Sequence, residues 1–262
     1  IIDEQHKFGV KQRKALSDKG GVNCDVLLMS ATPIPRTLTM TIYGDMDISI
    51  INEKPKFRKE IKTYSKIDSK TDEVINFVKK EIQNGNQIFW VCPLIEESKK
   101  IDHQSAIKKY EFLKKIFPTK VTILHGNIDA KERENILKNF LDKKFDILVS
   151  TTIIEVGIDF PNANVIVIEN ANKFGLSQLH QLRGRVGRGK KQATCILLFK
   201  SNLSNNARKR ISILKKSNDG FFISEEDTDT RQILLRYDGR SLIVGNRDMV
   251  QTLDLSDLTF VL

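Results

Sequence analysis

Apolar side chains recur along this sequence in short continuous runs. "DVLLMS" (25–30), "QIFWVC" (87–92), "VTILH" (121–125), "DILVS" (146–150), "NVIVIE" (164–169) and "TCILLF" (194–199) are each the length of one strand. Runs that are apolar at nearly every position fit a parallel sheet covered on both faces, because both alternating sets of side chains must then be buried. Amphipathic segments separate them. In "SKTDEVINFVKKEIQNG", Val74, Val78 and Ile82 recur every four residues, which predicts a helix capped by Ser69 and stopped at Gly85. "DAKERENILKNFLDKK" predicts another, with Asp129 as cap and Ile136, Leu137, Phe140 and Leu141 on one face. Strands and helices alternating at these lengths make βαβ units, and so a doubly wound α/β domain.

The pattern breaks twice. Residues 52–60, "NEKPKFRKE", are polar, contain a proline and show no period, so they read as a linker. Only two strand-like runs precede them, too few for a domain. After about residue 200 the alternation gives way to "KSNLSNNARKR", a basic helix, and then a tail. The expected organisation is a remnant of one α/β lobe with its linker over 1–58, a complete α/β lobe over 59–200, and a basic helix with a divergent tail over 201–262.

Composition changes this picture only at the margins. The 262 residues include 43 Lys and Arg against 33 Asp and Glu, a net charge of +10. Such an excess suits a polyanionic partner, and a lysine-rich surface kept for solubility accounts for it equally well. Cys24, Cys92 and Cys195 are far apart, each in or beside an apolar run. They read as reduced core residues of a cytoplasmic protein and not as a disulfide framework or a metal cluster. No apolar run approaches the roughly 20 residues that a membrane span needs.

Four stretches carry candidate chemistry. Asp3 and Glu4 close the opening apolar pair, and the carboxyl end of a parallel strand is where α/β sheets bind ligands. Asp suits Mg²⁺ beside phosphate oxygens and Glu suits an attacking water, although strand-end acids are also common on solvated surfaces. In "MSATPIPRT", Ser30 and Thr32 follow a strand; their hydroxyls can bond a neighbouring carboxylate or simply shape a turn. "QLHQLRGRVGRG" (178–189) packs Arg183, Arg185 and Arg188 among Gly184, Gly187 and Gly189. Glycines allow close backbone approach and arginines give bidentate phosphate recognition, so this stretch reads as a phosphate site. The same stretch fits G-x-x-x-x-G-K from Gly184 to Lys190, yet Lys191 replaces the Ser or Thr that would hold Mg²⁺ and no strand precedes it. Finally, "STTIIEVGIDFPNA" (150–163) carries Thr151, Thr152, Glu155, Gly157 and Asp159, which suit a nucleic-acid backbone or an ordinary strand–loop junction.

Taken in order, "DEQH", "SAT", "VCPLIEES", "STTIIEVGIDFP" and "QLHQLRGRVGRG" resemble superfamily 2 helicases from motif II through motif VI, and within them the RecG-type DNA helicases. Transcription-repair coupling translocases share "ATPIPRT" and "QLHQLRGRVGR"; Gln5 and "VCPLIEES" favour the RecG type. The resemblance covers roughly residues 1–225. It implies a RecA-like parallel sheet with helices on both faces, ATP and Mg²⁺ as cofactors, and branched or duplex DNA (forks, Holliday junctions) as partner of a monomeric motor. By position, Asp3 would hold Mg²⁺ and Glu4 would act on the hydrolytic water. Gln5, His6, Ser30 and Thr32 would couple nucleotide state to movement. Gln181, Gly184, Arg185 and Arg188 would form the far-lobe face of the ATP site, with Arg185 and Arg188 reaching the γ-phosphate. Gly157 and Asp159 would lie near the nucleotide, and Thr151 and Thr152 on the DNA track.

Two departures from the family qualify these expectations. The motifs quoted include no Walker A loop, so the expectation is a fragment with negligible ATPase by itself. After "GFFISEED", the stretch "TDTRQILLRYDGRSLIVGNRDMV" does not follow the family's glycine-rich continuation. A non-catalytic or decayed DNA-binding remnant is therefore the second reading, and a transcription-repair coupling translocase the third.

Overall fold

The structure is a computed structural model. It describes residues 1–3, 15–16, 19–21, 25–27, 29, 49–51, 53, 58–93, 99–126, 128–151, 159–231, 234–237, 241–246 and 249–254; in 99–104 and 227–254 the description is of backbone. The chain divides into two compact units, Ile1–Met46 and Asp47–Leu262.

In the first unit the two apolar segments pair. Ile2 N–H donates to Leu27 O and Met29 N–H to Ile2 O, each at 2.8 Å. Ile2 is buried, but Val26, Leu27 and Met29 are exposed. The expectation of a strand covered on both faces does not hold for these residues.

The second unit contains a six-stranded parallel sheet. Its elements are β1 (Lys62–Ile67), α1 (Thr71–Gln83), β2 (Gln87–Val91), α2 (Lys99–Ile116), β3 (Val121–Leu124), α3 (Ala130–Leu141), β4 (Ile147–Ser150), β5 (Ala163–Ile168), α4 (Leu176–Arg183), β6 (Thr194–Phe199) and α5 (Asn205–Lys216). Strand order is β1-β6-β5-β2-β4-β3, and every adjacent pair is parallel. Because side chains alternate across a strand, each apolar run feeds two cores at once. Ile88, Trp90, Cys92, Val165, Val167 and Ile196 point to the face covered by α1 and α2. Phe89, Val91, Ile166, Ile168, Cys195 and Leu197 point to the face packed by α3, α4 and α5. That is the physical content of an uninterrupted apolar strand.

Local signals hold in part. Asp129 caps α3 by accepting from Glu132 N–H at 2.8 Å, as expected. Gly85 ends α1 with a left-handed φ of +73°. Ser69 is not the cap of α1; it lies in a 3₁₀ turn, Asp68–Lys70, that leads into the helix. Leu141 is exposed where a buried position was expected; α3 buries Leu137 and Phe140, and Leu141 falls at the margin of that face. Periodicity did not announce β1, a polar edge strand, or α2, whose Ala106 and Leu113 are buried.

After α5 come α6 (Gly220–Arg231) and an antiparallel sheet of β7 (Leu234–Tyr237), β8 (Ser241–Asn246) and β9 (Met249–Asp254) in order β7-β8-β9. Asp238-Gly239, a two-residue hairpin signal, sits between β7 and β8 in the sequence and was the available cue.

Candidate functional site

The loop between α4 and β6 carries most of the arginine–glycine run, and it lies across the amino edge of the sheet. In a βαβ crossover the helix returns antiparallel to its strands, so α4 delivers Gly184 to the edge where β5 and β6 begin. Backbone bonds fix the loop there: Gly187 N–H donates to Ala163 O at 3.3 Å, and Lys62 N–H donates to Ala193 O at 3.0 Å. Gln192 Nε2 donates to Glu60 O at 2.5 Å, which ties in the approach to β1.

Two glycines of the run are needed for this docking. Gly187 has φ +72°, and a Cβ there would stand 2.9 Å from Ala193 Cβ. A Cβ at Gly189 would stand 2.6 Å from Pro161 O. Both glycines thus have a packing reason of their own, the close approach of the loop to Ala193 and Pro161. Lys191, the residue that spoils the P-loop pattern, is tied down as well, donating to Asn84 O at 3.0 Å and Asn86 Oδ1 at 3.2 Å.

The arginines divide. Arg183 is 2% exposed and not a phosphate ligand. Its Nη1 donates to Leu214 O and Ser217 O, both at 2.8 Å, so it ties α4 to the end of α5. Its Nη2 lies 2.9 Å from His180 Nδ1; since arginine only donates, that nitrogen accepts and the ring's proton is on Nε2. Burial lowers the Arg183 pKa from its ordinary value.

Arg188 is at the amino edge, with Nη1 3.5 Å from Asp159 Oδ1. That is an ion contact longer than a good charge-assisted hydrogen bond. The Arg188 side chain is 31% exposed and that of Asp159 63%. Asp159 is positioned by its neighbour. Phe160 is buried against Phe89 and Phe140, at ring-centroid distances of 5.6 and 5.5 Å. This aromatic anchor holds residue 159 at the edge while Pro161 meets Gly189.

A further arginine was missed because it falls in the segment read as linker. Arg58 is half-buried, and its Nη2 donates to Gly184 O at 3.3 Å. Burial lowers its pKa, the neighbouring Arg188 guanidinium adds to that, and Asp159 opposes it. Arg58, Arg188 and Asp159 therefore form one electrostatic cluster. The available cue was a lone arginine just ahead of a strand, which carries no pattern by itself.

Of the other candidates, Gln181, Gly184 and Arg185 sit half-buried at the end of α4 and the start of the same loop. Thr151 is at the opposite, carboxyl end of β4 and is 3% exposed. Asp3 follows the bridge at Ile2 in the first unit. Glu4, Gln5, His6, Ser30, Thr32, Thr152, Glu155 and Gly157 lie outside the described residues, as does Cys24. At the carboxyl edge, Lys109 Nζ pairs with Glu169 Oε1 at 2.5 Å and lies over the Trp90 ring, 5.4 Å from its centroid. Cys92 is 3.6 Å from Glu169 Oε2, and burial raises its thiol pKa well above the ordinary value. Among the described residues no helix is long and apolar enough to cross a membrane.

A parallel sheet with helices on both faces and an arginine-bearing loop before its sixth strand is a RecA-like helicase lobe, and residues 69–190 match the helicase conserved C-terminal domain. Across 88% of its length the chain is 49% identical to the ATP-dependent DNA helicase RecG of Bacillus subtilis and 52% identical to that of Aquifex aeolicus. A solved structure of RecG bound to a three-way DNA junction matches over 88% of the chain, with a TM-score of 0.71 and 44% identity, and the match covers 29% of that protein. Residues 69–190 thus carry a helicase conserved C-terminal domain, and the chain is similar in sequence to RecG. It spans about a third of the length of the curated relatives, 34% and 30% for these two.

Proposed function

We propose that this chain forms part of an ATP-dependent DNA motor, a cytoplasmic monomer acting on branched or duplex DNA, with its arginine-bearing edge serving the nucleotide. The observation that carries the reading is Arg188: a permanent cation fixed on a docked loop, whose ion contact, Asp159, is long and largely exposed. A guanidinium so placed can exchange a weak internal contact for phosphate oxygens at little cost. ATP supplies the phosphoanhydride bond. Arg185 and Arg188 bind its terminal phosphate and stabilise the charge that develops there. Gln181, Gly184, Gly157 and Asp159 shape the same side of the nucleotide. Asp3 offers one carboxylate, and among the described residues no group of three or more His, Cys, Asp or Glu could hold a metal. Mg²⁺ held at Asp3 would supply positive charge beside the phosphate oxygens. Glu4 orients the attacking water; Gln5, His6, Ser30 and Thr32 couple nucleotide state to movement; Thr152 serves the DNA backbone, next to Thr151, which is itself buried. The working division is 1–58, 59–200 and 201–262.

Exchanging this chain's aligned segment into Bacillus subtilis RecG tests the proposal. ATP hydrolysis on a three-way junction is expected from the chimera, and Arg188→Ala should lower kcat by about 10²–10³-fold, the range for removing a charge-stabilising donor. An active chimera indifferent to Arg188→Ala would sink the reading. Independently, binding of the chain itself to duplex DNA should weaken steeply between low and physiological salt.

A further inference from the structure

We infer that Arg58 is a phosphate-binding residue in its own right, making with Arg188 a two-guanidinium cradle for the terminal phosphates of a nucleoside triphosphate. This rests on the nucleotide reading of Arg188 above.

Three observations support it. The position of Arg58 is fixed: Gln192 bonds Glu60 O, and Lys62 N–H bonds Ala193 O, so the residues just before β1 are fastened to the docked loop. The side chain is aimed at the run, since it donates to Gly184 O at 3.3 Å, and that bond uses one of five guanidinium donors. Among the described residues the carboxylate acting on Arg58, Asp159, is also the ion contact of Arg188. A simple ion pair needs a single cation. Holding two beside one largely exposed carboxylate leaves net positive charge, which a multivalent anion neutralises.

The competing structural role is a tether for the Gly184 carbonyl. Gln at this position keeps an N–H donor and loses the charge, while Lys keeps both. The test is titration of the 262-residue chain at low salt with tripolyphosphate, with ATP and with a short DNA duplex. Binding is read by calorimetry and by the NMR signals of the arginine side-chain N–H groups, with circular dichroism checking the fold of each variant. Tripolyphosphate and ATP should both shift the Arg58 signal. Arg58→Gln and Arg58→Ala should weaken both by about tenfold, and Arg58→Lys by about threefold. Wild-type-like binding by Arg58→Gln, while Arg188→Ala weakens it, overturns the role of Arg58 alone. Binding unchanged in Arg188→Ala, or absent from the unaltered chain, overturns the nucleotide reading and the cradle with it. A shift of Arg58 by duplex but not by tripolyphosphate overturns the cradle in favour of a nucleic-acid backbone.

Discussion

The two halves of the stretch 178–189 use the same residue types for opposite purposes. In the helical half, Arg183 is fully enclosed and spends its donors on Leu214 O, Ser217 O and His180. In the loop half, Arg188 is partly exposed and meets Asp159 at 3.5 Å. Five positions apart, one guanidinium is consumed by the fold and the other is kept available. The difference lies in the neighbours. Around Arg183, the end of α5 brings the buried Leu214 carbonyl and the part-buried Ser217 carbonyl, which need a donor. Around Arg188, the sheet edge brings an exposed carboxylate and a second arginine. A buried charge is retained when its hydrogen bonds are complete; an exposed one with weak internal partners is the one free to serve a ligand.

The sharpest way to break this comparison is Arg183→Met. It strips the buried Leu214 carbonyl and the part-buried Ser217 carbonyl of their donor, and about 3 kcal/mol of stability should be lost in urea unfolding. A loss below about 1 kcal/mol would mean that Arg183 is not structural. Gly187→Ala comes next. The left-handed backbone and the contact at Ala193 should cost about 2 kcal/mol, and because the loop then lifts from the edge, phosphate binding should fall with it.

Cys195 probes the enclosed half by pH. Burial pushes its thiol pKa up to about 12, with Arg183 opposing. A raised folded value means that the stabilisation is complete below the unfolded thiol's pKa and is lost as pH rises towards 12. Relative to Cys195→Val, the unaltered chain should lose up to about 1.4 kcal/mol per pH unit above roughly pH 9. Parallel pH–stability curves for the two would contradict an enclosed thiol. The smallest effect belongs to the loop half: Arg188→Ala should change unfolding free energy by less than about 0.5 kcal/mol, since an exposed, long ion contact contributes little. A larger loss would make Arg188 a second structural arginine and erase the contrast.

Much of this was legible in advance. Five of the six apolar runs coincide within a residue with β2, β3, β4, β5 and β6, because a strand buried on both faces must be apolar throughout. β1 was missed because an edge strand can remain polar, as "KTYSKI" does. The β7-β8-β9 sheet was missed although Asp238-Gly239 marks a hairpin, since the segment was read only as a departure from a family pattern. At the site, the run 178–189 stood out by composition, but composition could not separate Arg183 from Arg188, and it hid Arg58 in an apparent linker.

By itself, then, the sequence determined where strands and helices form and which stretch concentrates guanidinium groups, because those follow from local periodicity and residue type. Tertiary structure alone decided which arginine is buried, why Gly187 and Gly189 must lack a Cβ, and that Arg58 joins Arg188 across a gap of 130 positions. Those outcomes depend on neighbours supplied by distant segments, and the free energy of a charge is set by what surrounds it.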